Sequence, residues 1–186
     1  MEYYAIQVWT GKEDEFASKL DAEPEFHGRV ILPKKVNVVR RRGKTRREEC
    51  PFFPGYVFLA SEDGELDAAR SWAVRSTRFF VRALPQSSAP KPIKDADRRL
   101  LSHIISFGKV ADISKVRFDV DDRIVVLEGP MKGLEGLIVK VDKRKRRAKL
   151  KLDLCENLFL VDLGFELIEK PSKGPGSDDA QHPRAP

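Results

Sequence analysis

Apolar spacing along the chain changes character near its middle. Up to about residue 108, strand-like and helix-like periods follow one another; beyond about residue 119, only strand-like periods occur. "YYAIQVW" (3–9) is dense in β-forming residues and predicts a strand. "TGKE" (10–13) fits a capping box, in which Thr10 accepts from the backbone near Glu13 and Glu13 reaches back. The helix it opens places Phe16, Ala17 and Leu20 on one face and must stop before Pro24. "RVILP" (29–33) starts a second strand, "VNVVRRRGKTRREE" reads as a hairpin arm turning at Gly43, and "FFPGYVFLA" (52–60) is a third strand with Pro54 at an edge or bulge. A short helix over 63–75 aligns Leu66, Ala69 and Ala73, and "RFFVRAL" (78–84) is a fourth strand. A loop at 85–92 leads to an amphipathic helix over 95–108, with Leu100, Leu101, Ile104 and Ile105 inside. The order βαββαβα describes one α+β domain of about 105 residues, an antiparallel four-stranded sheet with helices.

Residues 109–118 show little period and read as a linker. After them, 122–142 holds two strands joined by a Gly-rich turn, and "RAKLKLDL" (147–154) alternates apolar and basic residues, as a half-buried strand does. "NLFLVDL" and "FELIEK" add two short strands, so 119–170 predicts a small all-β barrel. From Pro171 to the end there is almost no apolar content, and 171–186 is expected to be disordered.

Composition narrows the partners. The chain of 186 residues has a net charge of +6 and a pI of about 9.3, a balance that favours polyanions. The charge is clustered: positions 34–47 hold eight Lys/Arg and no acid, and positions 143–151 hold seven and no acid. Cys50 and Cys155 are too few for a disulfide framework, and the three histidines show no metal-ligand spacing. No catalytic constellation, cofactor motif, signal peptide or apolar membrane span is legible, so a soluble, cytoplasmic, monomeric non-enzyme is expected.

"FFPGYVF" (52–58) places four aromatics in seven residues, just past the basic run "RRRGKTRR" (40–47). It reads either as a core strand after an exposed hairpin or as a protein-docking surface beside a nucleic-acid-facing arm. Phe52 and Val57 suit the core, and alternation puts Tyr56 and Phe58 on one face, as it does Gln7 and Trp9.

"DDRIVVLEGPMKGLEGLIVKVD" (121–142) closely follows the KOW pattern GDRVxVxxGPxxGxxGxVxxVD, with Gly129, Gly133 and Gly136 at its turns. "YYAIQVWTGKE", "FFPGYVF" and the passage from "VRSTRFFVRAL" to "KPIKDADRRLL" resemble the NusG N-terminal (NGN) domain. The likeness covers about residues 2–170 and implies an NGN domain over 1–108 and an SH3-like KOW barrel over 119–170. The arginine-rich arm and "DKRKRRAKLKL" (142–152) resemble specialised NusG paralogues of the LoaP type.

This resemblance implies a transcription elongation or antitermination factor that docks on the clamp helices of the largest RNA polymerase subunit. Residue by residue, the docking surface falls on Gln7, Trp9, Phe53, Tyr56 and Phe58. Nucleic acid, as RNA or the non-template DNA strand, would meet Arg40, Arg41, Arg42, Lys44, Arg46 and Arg47 of the arm. A second group is Lys12, Arg75 and Arg78, and the barrel adds Lys143, Arg144, Lys145, Arg146 and Arg147. Met131, Leu134 and Phe165 match the barrel surface used for Rho or a ribosomal protein, though a buried plug suits the two loop residues nearly as well. The competing reading is a KOW-containing RNA-binding or ribosome-associated protein that does not touch polymerase. The two differ at the β-strand aromatics: docking needs Phe53 and Tyr56 exposed together.

Overall fold

The computed structural model describes residues 1–41, 44–62, 64, 66–85 and 90–168, with the side chains of 40 and 41 left aside. Arg42 and the tail 171–186 lie outside the described residues.

Strands β1 (Glu2–Val8), β2 (Arg29–Ile31), β5 (Tyr56–Ser61) and β6 (Phe80–Leu84) form an antiparallel sheet in the order β2-β5-β1-β6. Both its faces are apolar, because the central strands β1 and β5 carry apolar residues at nearly every position. Tyr4, Ile6, Val8, Val57 and Leu59 point to helices α1 (Glu13–Asp21) and α2 (Ala68–Ser76), where they meet Phe16, Leu20, Ala73 and Val74. Tyr3, Ala5, Tyr56, Phe58 and Ala60 point the other way. That second face joins Leu101 and Ile104 of helix α3 (Asp95–Ile105) and the interior of the barrel in one continuous core.

Between the two lies a hairpin of β3 (Lys34–Arg41) and β4 (Lys44–Pro51). Arg41 pairs with Lys44, and the turn expected at Gly43 lies outside the described residues. The segment 109–118, expected as a linker, holds two strands. β7 (Val110–Ala111) adds in parallel to β3, and β8 (Ser114–Phe118) adds in parallel to the end of the barrel's last strand. Their weak period has a physical reason: a two-residue strand has no repeat to show, and β8 puts the polar Ser114 on its buried face beside Val116.

The barrel comprises β8, β9 (Ile124–Glu128), β10 (Ile138–Asp142), β11 (Arg147–Leu154) and β12 (Asn157–Leu167), ordered β10-β11-β12-β8-β9. The two short strands expected after 156 are one eleven-residue strand, β12. β11 alternates as its sequence predicts, burying Ala148, Leu150, Leu152 and Leu154. Gly129 has φ +100, and an added Cβ would lie 2.6 Å from the Ser114 Cα, so this turn position in the KOW pattern accepts no side chain.

Candidate functional site

The aromatic segment is set by the turn inside it. Gly55, at φ +82, donates its N–H to the Glu13 carboxylate (2.6 Å) and accepts from the Val8 N–H (2.8 Å). A Cβ there would sit 2.9 Å from the Thr10 hydroxyl oxygen. Glu13 therefore does not close the expected capping box; helix α1 starts without a side-chain cap, and Glu13, buried, ties it to the Pro54–Gly55 turn.

Beyond the turn, Phe53, Tyr56 and Phe58 share one patch, as alternation implies, but they are not exposed. Their relative exposures are 1%, 8% and 0%. The cover over Phe53 and Tyr56 comes from the barrel. Phe159 of β12 sets its ring 5.1 Å from Phe53 and 5.0 Å from Tyr56, edge to face in both cases (74° and 82°). Desolvation pushes the Tyr56 phenol above its ordinary pKa. Gln7, half-buried, accepts from Arg82 Nε at 2.7 Å. Trp9 departs from the set: it lies past the end of β1, 61% exposed, and tilts against Phe79 (5.6 Å).

A polar seam surrounds the Phe159 contact. Lys35 Nζ donates to the Asp162 carbonyl (2.5 Å), and burial pulls its pKa below the usual lysine range. Arg147 donates to the Val38 carbonyl, and Lys94 pairs with Glu156 (2.6 Å). The Cys155 N–H donates to Asp97 (3.1 Å), whose carboxyl is pushed up mainly by desolvation. Desolvation and the neighbouring acids push the Cys155 thiol up to about 12. Sequence reasoning missed Phe159, Lys35 and Asp162. The one legible signal was in "NLFLVDL", where Phe159 takes the opposite strand face from Leu158 and Leu160, which are 58% and 59% exposed.

The same interdomain arrangement brings the two basic clusters together. Lys44, Arg46 and Arg47 are exposed on β4; Arg40 and Arg41 belong to β3 by backbone pairing. Opposite them, Lys143, Arg144, Lys145 and Arg146 form the exposed turn from β10 to β11. The turn is held by Lys145 N–H to Asp142 (2.8 Å) and by Phe165 N–H to the Arg146 carbonyl (2.9 Å). Between hairpin and turn lies a groove of about 1080 Å³. Lys12 and Arg78, from the second predicted group, stand over the Phe79 ring at 5.2 and 4.7 Å, beside Trp9; Arg75 is exposed on α2.

The barrel residues Met131, Leu134 and Phe165 are 0%, 9% and 3% exposed and belong to the core. Met131 and Leu134 take the buried-plug alternative, with the Met131 N–H donating to Ser114 Oγ (3.0 Å), and Phe165 is buried on β12. Among the described residues, no group of three or more acids, cysteines or histidines is placed to hold a metal, and no helix is long and apolar enough to cross a membrane.

Residues 1–102 match the family described as transcription termination factor NusG, more than half of the chain, and residues 120–153 match the KOW motif. The chain belongs to the NusG family. Family members are transcription termination and antitermination factors rather than enzymes. The transcription termination/antitermination protein NusG of Vibrio vulnificus (strain CMCP6) is 26% identical over 182 residues, covering 90% of this NusG-family chain and 94% of its own length. The protein of the same name from Escherichia coli (strain K12) is also 26% identical over 182 residues, with 90% and 95% covered. A solved structure titled "Domain interaction in Thermotoga maritima NusG" matches the fold with a TM-score of 0.52 at 18% identity, covering 88% of this chain and 93% of that one.

Proposed function

We propose that this NusG-family chain is an elongation and antitermination factor that docks on the clamp helices of RNA polymerase through Phe53, Tyr56 and Phe58. In this reading it sustains transcription of selected operons as a specialised paralogue of the LoaP type. The observation that carries it is the nature of the cover over the aromatic face. Phe53 and Tyr56 are covered by Phe159, a side chain from the other domain, and the polar links around that contact include an exposed ion pair, Lys94–Glu156. Exposed ion pairs add little stability. Displacing the barrel uncovers an apolar, aromatic patch of the kind that forms interface hot spots. A partner of the barrel, such as Rho or a ribosomal protein, would then meet Leu158 and Leu160 rather than the buried loop residues.

Co-purification with polymerase tests the docking. Tyr56→Ala and Phe53→Ala are expected to abolish it, while Phe159→Ala, which removes the cover, is expected to strengthen it. A run-off assay across a terminator reads the effect on transcription. The second reading, an RNA-binding or ribosome-associated protein, is favoured by the buried state of Phe53 and Tyr56 itself. It predicts no polymerase in the pull-down from any variant.

A further inference from the structure

The two basic clusters lie far apart in the chain, one in the hairpin and one in the barrel, yet they face each other across one groove. It is lined by Arg47 from the hairpin, by Arg144, Lys145 and Arg146 from the barrel turn, and by the half-buried Val38, Val39 and Ile113, with the buried Phe165 beneath them. Arg47 is paired with Asp112 and Lys145 stands 3.9 Å from Asp142, but Arg144 and Arg146 make no ion pair among the described residues. Cations converge here with too few acids to neutralise them, over apolar ground. That combination suits a single strand, with phosphates on the cations and base faces against the apolar side chains.

One lining group suits RNA in particular. Glu166, exposed in the groove, is misplaced for a purely phosphate-binding surface. A carboxylate repels phosphate, but it accepts a hydrogen bond from a ribose 2′-hydroxyl, which DNA lacks.

We propose that the hairpin and the barrel turn form one composite groove for single-stranded RNA, assembled only while the barrel is packed on the sheet. The proposal rests on the reading that the basic clusters meet nucleic acid, and it is independent of polymerase docking. It has a thermodynamic consequence. The groove needs the packed arrangement, whereas docking on Phe53 and Tyr56 needs that arrangement opened, so RNA in the groove opposes docking.

The test is an anisotropy titration of the full chain with fluorescein-labelled oligo(U) and oligo(dT) eight-mers, without polymerase, so its failure leaves the docking reading untouched. One RNA is expected per chain, bound more tightly than DNA. Arg47→Gln and Arg144→Gln, in different domains, should each weaken RNA binding several-fold and flatten the log–log salt slope by about 0.7. Phe159→Ala removes no charge, yet it should weaken binding about tenfold as the two halves separate. Glu166→Ala, which removes the acceptor, should erase the preference for RNA over DNA. Wild-type affinity in Phe159→Ala, or two RNA molecules per chain, would overturn the composite groove in favour of two separate patches. Equal affinity for both oligomers would overturn the RNA assignment. The exposed Arg47 variant keeps the test valid even if Phe159→Ala fails to fold by circular dichroism.

Discussion

Replacing Phe159 with Ala should open the barrel from the sheet, and Cys155 is positioned to report it. Phe159 makes edge-to-face contacts with both Phe53 and Tyr56. Each such pair contributes about 0.5–1.5 kcal/mol beyond area burial, so losing both favours opening by about 2 kcal/mol, or about 30-fold. Cys155 sits in the same seam, with its N–H on Asp97 of α3. Burial and the neighbouring acids push its thiol up to about 12, so the packed state holds much less thiolate than an exposed thiol would. Alkylation therefore proceeds through opening, and its rate follows the open population. In a Cys50→Ser background, with Cys155 the remaining cysteine, Phe159→Ala should accelerate alkylation about threefold at unchanged circular dichroism, the gain in open population that goes with a roughly tenfold loss of the packed state under a roughly 30-fold shift. Proteolysis between β7 and β8, at Asp112 and Ile113, should rise in the same order and release two fragments. A rate within twofold of wild type would refute the reasoning, because Phe159 would then not hold the domains together.

Gly55→Ala forces a side chain into a left-handed conformation against Thr10, and should cost about 1–2 kcal/mol, read as a lower melting temperature. Replacing Arg46 and Arg47 with Lys preserves charge but removes the planar, bidentate guanidinium. Gel shifts should show that non-specific RNA affinity survives while preference for a folded cognate hairpin over a scrambled one falls; retained preference would make the arm an electrostatic tether only. Lys35 has a folded pKa below its ordinary 10.5, so the unfolded chain binds more protons in the window between the two values. Stability contributed at this site thus rises with pH through that window. The stability of wild type minus that of Lys35→Met, from urea melts between pH 7 and 10.5, should rise with pH; a flat difference would mean that the buried amine carries no desolvation cost.

The elements themselves were legible because their determinants are local. β11 alternates residue by residue, α3 repeats its apolar stripe, and the glycines of the KOW turn mark where the backbone reverses. The basic clusters were equally plain, since charge needs no folding to be counted. Alternation even assigned Tyr56 and Phe58 to one face and Val57 to the other. What covers a face is a different matter. An aromatic strand looks the same in sequence whether solvent, a partner or another domain lies over it. Only the tertiary structure placed Phe159 on Phe53 and Tyr56, more than a hundred residues away in the chain. The same holds for Glu13, whose capping spacing was overridden by a partner forty-two residues on, the Gly55 N–H. It holds too for 109–118, whose strand character comes from the edges it joins. Local sequence sets which conformations a segment favours; which surfaces meet depends on apolar area and polar groups contributed by distant segments, and those sums are made only in the folded chain.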